Sequence, residues 1–194
     1  ASTLTPAKTA RQRTDTFTSI WMMIAVAMAI ATLVAKSRMP QPLWTMIHLV
    51  TLGVLSNGIF QWSWFFARSL ARLSADDPRA RRHNTIRVLI FNAFFASLFV
   101  SMWLGWMVGT VIAATGIAAV AAWHGAEMLS VLRERLASRF VVVVRYYVCS
   151  ASFFVLAALL ASFVTVTMFS PSIPEAMVAM RDRLTLAHAL SGVA

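Results

Sequence analysis

Residues 44–68 read WTMIHLVTLGVLSNGIFQWSWFFAR, an apolar run that nevertheless carries His48, Asn57 and Gln61. About 20 helical residues rising 1.5 Å each cover the roughly 30 Å hydrocarbon core of a bilayer, so the stretch is predicted to be a transmembrane helix. On a wheel of about 100° per residue, His48 shares a face with Leu52, Leu55, Ile59 and Phe66, whereas Gly53, Asn57 and Gln61 lie nearly opposite. A polar side chain in lipid needs a partner within the protein. The span is therefore expected inside a helical bundle, with neighbours on both sides.

Comparable runs flank it. Residues 16–35, 86–106, 108–130 and 140–169 are each long enough to cross, and another apolar run starts near Leu184. The predicted fold is an all-α polytopic transmembrane bundle with five full spans and the start of a sixth, residues 16–194 forming one membrane domain. About eleven residues cannot cross the hydrocarbon, so the natural protein is expected to continue. Residues 1–15, with Lys8, Arg11 and Arg13, are predicted to be a disordered basic tail. The first span, with its Met-rich and featureless face, is expected at the periphery. A hydrophobic content of 59% with 12% charged residues excludes a soluble core.

The net charge of +10 points here to lipid and not to nucleic acid. Arg68, Arg72, Arg79, Arg81, Arg82 and Arg87 fall in one connection, and Arg133, Arg135 and Arg139 in another. Short basic loops stay in the cytoplasm, which predicts a multi-pass protein of the plasma or inner membrane with a cytoplasmic amino terminus. His83 is expected to be solvated in the first basic connection. The chain's one cysteine, Cys149, lies in a span and is expected to be a small packing residue.

Two layers of polar residues are candidates for function. His48 and His188 each follow the outer start of a span by about four residues, which puts them at a similar depth. Such a pair fits the axial ligation of a haem iron; the alternative is that each histidine hydrogen-bonds a neighbouring helix. The inner layer holds His124 and Glu127, three residues apart on one face, with Arg145. A buried Glu127–Arg145 pair beside His124 is read either as a quinol or proton-relay site or as an ion pair that locks two helices while Arg145 snorkels. No phosphate loop, HExxH, CxxC or serine elbow is present.

Several strings carry a resemblance. They are His48-Leu-Val-Thr-Leu-Gly, Ser56-Asn57, Gln61-Trp62-Ser63, Ala122-Trp123-His124-Gly125, Ser138-Arg139-Phe140, Val144-Arg145-Tyr146-Tyr147-Val148 and Leu186-Ala187-His188-Ala189. In this order and spacing the chain resembles the amino-terminal membrane domain of actinobacterial multicopper oxidase and copper nitrite reductase-like proteins, itself reminiscent of haem-copper oxidase subunit I. The resemblance implies haem b at His48 and His188, and copper only in domains absent from this chain. It thus implies a redox module, part of an oxidoreductase whose catalytic copper lies elsewhere, passing electrons from quinol to copper-binding domains or subunits. A cofactor-free anchor or assembly scaffold is the competing expectation. A small transporter is disfavoured because no span is broken by proline or glycine-rich unwinding, and oligomerisation is left open.

Overall fold

The computed structural model describes residues 10–73, 77–134, 141–170 and 172–193. It is 89% helical, and among the described residues the chain forms six helices. These are α1 (Ala10–Val34), α2 (Pro42–Leu70), α3 (Pro78–Trp103), α4 (Met107–Glu134), α5 (Val141–Phe169) and α6 (Glu175–Val193). Five of them, α1 to α5, are long and apolar enough to cross a membrane, so the polytopic bundle expected from the sequence is the fold.

Sequential neighbours pack together: α1 against α2, α3 against α4, α4 against α5, and α5 against α6. The main core joins Leu49, Leu52 and Phe60 of α2 to Phe91, Phe95 and Phe99 of α3 and to the alanine-rich face of α4. Alanines and Gly116, which receives the Phe94 ring, let α3 and α4 approach closely. α1 is peripheral as expected. It turns Thr18, Ala25, Ala29 and Thr32 inward and leaves Ile20, Met23, Ile24, Ile30 and Leu33 exposed for lipid.

α2 is not a uniform α-helix. Residues Leu49–Ser56 are wound as a π-helix, in which each turn holds more than 3.6 residues and the face presented to neighbours drifts. The Ser56 hydroxyl donates to the Thr51 carbonyl, and the Asn57 amide donates to the carbonyls of Leu52 and Gly53, five and four residues back. The uniform wheel therefore fails beyond His48. Leu55, Ile59 and Phe66, grouped with His48 in the sequence reading, are exposed, while Leu52 is buried. Gly53 sits where α1 crosses: a Cβ there would lie 2.6 Å from the Ala25 Cβ.

Two helix ends close by the same device. At the α3–α4 hairpin Gly105 takes φ 65°, and the Trp106 N–H reaches the Ser101 carbonyl while the Gly105 N–H reaches that of Met102, a Schellman motif. The end of α2 repeats the pattern with Arg72 at φ 53°, Leu73 N–H donating to Arg68 and Arg72 N–H to Ser69. Arg72 is exposed and carries a Cβ into a conformation that suits glycine. Arg72→Gly is expected to raise stability by roughly 0.5–1 kcal/mol, the relief of left-handed strain offset by the entropy of an added glycine in the unfolded chain. Thermal denaturation in detergent checks this, and an unchanged or lower midpoint would count against it.

Two boundary readings and one packing reading are corrected. α3 begins at Pro78, not near residue 86, because Asp77 caps it, accepting from the Arg79 N–H at 3.0 Å; this draws Arg87 out of the loop and into the bundle. The stretch after Pro174, read as an outer loop up to Arg183, is the first half of α6. Cys149 is exposed and does not pack in the interior. The basic tail falls mostly outside the described residues, as do the strings at 135–140.

Candidate functional site

The outer polar layer is formed where α6 returns along α5. Arg181 of α6 donates to the Thr167 carbonyl of α5, and further along His188 donates from Nδ1 to the Ala157 carbonyl at 2.8 Å. His48 makes the equivalent bond within its own helix, Nδ1 to the Trp44 carbonyl at 2.8 Å. A carbonyl only accepts, so each Nδ1 carries its hydrogen and each Nε2 keeps a lone pair. The structure brings the two rings together: their centroids lie 6.1 Å apart with planes 9° from parallel. Trp44 stacks on His48 at 4.3 Å.

His188 lies well along α6, not near the start of its helix as the sequence suggested, because α6 begins at Glu175. The rings meet because α6 runs back along α5.

The inner layer differs from its reading in one principal respect. Arg145 is exposed and makes no ion pair with Glu127. A residue near the start of α5 with its side chain outward cannot reach across to the interior face of α4. Glu127 instead accepts from the Trp123 indole at 3.4 Å and lies 4.0 Å from His83 Nδ1. The His83 side chain is 58% exposed, in keeping with the solvated position expected, with one edge toward Glu127.

Arg87 is fully buried, at 0% exposure. Its Nη2 donates to Asn84 Oδ1 at 2.6 Å, Asn84 Nδ2 donates to Gln61 Oε1 at 2.9 Å, and Gln61 Nε2 donates to Asp15 Oδ1 at 2.7 Å. The amides align head to tail between a cation and a carboxylate, so each polarises the next. This ties α1, α2 and α3 together and supplies the partner that Gln61 required. Asn57 finds its own in Asn92, with reciprocal bonds of 3.0 and 2.8 Å.

His124, at 2% exposure, sits beside this chain. Its Nε2 lies 2.9 Å from Ser63 Oγ, and its ring meets Phe60 edge to face at 4.8 Å. From there rings run without interruption to the outer layer: Phe60 to Phe91 at 4.8 Å, Phe91 to Phe95 at 6.5 Å, Phe95 to Phe99 at 4.9 Å and Phe99 to Trp44 at 5.2 Å. Trp44 then touches His48. The two layers are joined by one aromatic ladder.

The chain matches no family model, no curated protein and no solved structure. What the residues can do therefore rests on their own arrangement. Sequence reasoning missed Arg87, Asn84 and Asn92, although Asp77-Pro78 is a helix-start signal that would have extended α3 back to include Arg87.

Proposed function

We propose that this chain is a haem-binding electron-transfer module of the cell membrane, with His48 and His188 as the axial ligands. The observation that carries the reading is the pair of near-parallel imidazoles 6.1 Å apart, each tied to a carbonyl through Nδ1. Histidines that bind metals characteristically donate their other ring N–H in this way, which sets tautomer and orientation. Two imidazoles that share a metal through bonds of about 2 Å each have ring centres about 6 Å apart; the stacked pair matches that separation, and ligation would turn the rings edge-on to aim each Nε2 at the iron. Two protein ligands suit an iron whose porphyrin supplies the rest.

Bound there, haem supplies one-electron transfer. The chain's residues orient the ligands and surround them with Trp44 and the aromatic ladder, which gives the outer pair a dry, packed connection to the inner layer. An oxidised and then dithionite-reduced optical spectrum of the purified protein is the test. Haem b bands are expected, and a protein that takes up no haem on reconstitution would leave a membrane anchor.

The basic connections support a cytoplasmic amino terminus with Ser172 outside. In a Cys149→Ser background, Ser172→Cys is expected to react with an impermeant maleimide in intact cells, and Arg81→Cys only after lysis. The reverse pattern would invert the orientation.

A further inference from the structure

We infer that Asn57 is the positioning residue of the outer site: by holding the π-wound turns of α2, it sets the rotation at which that helix presents His48 to His188. α2 is tied to its neighbours on both sides of those turns. On the inner side Gln61 bonds Asp15 and Asn84, and Ser63 Oγ lies 2.9 Å from His124 Nε2, which fixes that half against α1, α3 and α4. On the outer side the fully buried Thr45, three residues before His48, accepts from the Trp103 indole at 3.1 Å. Residues Leu49–Ser56 must supply the rotation between these two anchors. Bonding from i to i+5 puts more residues in each turn than the 3.6 of an α-helix, so rewinding the segment as α-helix would turn one end against the other by on the order of 100°.

π-winding is rare and mostly confined to single turns, so a stretch of eight residues needs something to hold it. The Asn57 amide supplies the hold. One of its two Nδ2 hydrogens goes to Asn92 Oδ1 at 3.0 Å, and the other is shared between the Leu52 and Gly53 carbonyls at 3.2 and 3.1 Å. Asn57 Oδ1 accepts from Asn92 Nδ2 at 2.8 Å, so the side chain is satisfied at 0% exposure. Asn92 differs, since its second amide hydrogen goes to the Val88 carbonyl of its own helix at 2.9 Å. Asn57 therefore secures both the winding and the contact with α3, whereas Asn92 secures the contact alone. Among the described residues the half of α2 that carries His48 has one hydrogen bond to another helix, the one at Thr45, and it is the half that turns when the winding relaxes. Haem ligation, the reading on which this rests, gives the aim of His48 its purpose; the approach of the two side chains does not depend on a bound group.

The test bridges the two positions, whose rings lie 6.1 Å apart, by chemistry that needs no haem. In a Cys149→Ser background, the protein with His48→Cys and His188→Cys together is treated in lipid nanodiscs with a bifunctional methanethiosulfonate, and mass spectrometry measures the bridged product. Bridging is expected in this form and equally with Asn92→Leu added. With Asn57→Leu added it is expected to fall about tenfold or more, the population shift that follows when the hydrogen bonds favouring one winding are lost. Asn57→Thr, whose hydroxyl donates a single hydrogen to the carbonyl four residues back, is the second variant, and either one that keeps its helix content by circular dichroism is sufficient. In a parallel arm with both histidines present, the haem-loaded protein is expected to keep its low-spin ferric resonance with Asn92→Leu and to lose it with Asn57→Leu. The expected bridging pattern in a chain that takes up no haem would support the positioning role while ending the haem reading. Undiminished bridging in a folded Asn57→Leu or Asn57→Thr, or an equal loss in Asn92→Leu, would overturn the proposal and leave the asparagine pair as a packing contact between α2 and α3.

Discussion

Arg87→Met is expected to leave the protein at least as stable as the parent, and more stable by up to about 4 kcal/mol. The guanidinium is fully buried, and no carboxylate forms an ion pair with it among the described residues. Its one direct bond is to Asn84. Removing an ion from water costs several kcal/mol after relaxation, whereas the bond lost at Asn84 is worth about 1.5–3 kcal/mol as a hydrogen bond to a charged group. Methionine roughly fills the space, and Asn84 keeps its bond to Gln61. Desolvation therefore wins. Chemical denaturation of both forms in the same detergent decides the matter. A loss of more than about 2 kcal/mol would show that the cation holds α1, α2 and α3 together. A gain would mean that the chain tolerates an unfavourable charge for the sake of what it binds, as stability and function often oppose each other at sites.

His188→Ala and His48→Ala are each expected to abolish the low-spin haem spectrum. A single remaining imidazole leaves one axial position open, and the ligand partner is the whole protein contribution at that position. His48→Ala leaves the Trp44 carbonyl in its helical bond, and His188→Ala frees only the Ala157 carbonyl, so both variants are expected to fold. Circular dichroism confirms the helix content while the reduced spectrum reports the ligands. Exogenous imidazole is expected to restore the spectrum in part, because it fills the space that the side chain left. Spectra unchanged in both variants would place any haem elsewhere.

The fold class and the five spans were legible in the sequence because run length and apolarity are local properties, and the bilayer sets the length that matters. The peripheral place of α1 was legible for the same reason. Which polar groups meet was legible only in part. His48 and His188 meet, but not because each lies about four residues into its helix: their closeness depends on α6 running back along α5. Arg87 looked like one more loop arginine because its helix starts at a cap eight residues before the apolar run. Arg145 looked like a partner for Glu127 because depth along a span says nothing about the direction a side chain faces. The faces of α2 beyond His48 were misplaced because the π-wound turns between Leu49 and Ser56 rotate the register, and Asn57 and Gly53 hold that winding through contacts with carbonyls and with α1. Spans follow from one-dimensional hydrophobicity, whereas partners follow from rotation and register, which only the packing of one helix on another decides.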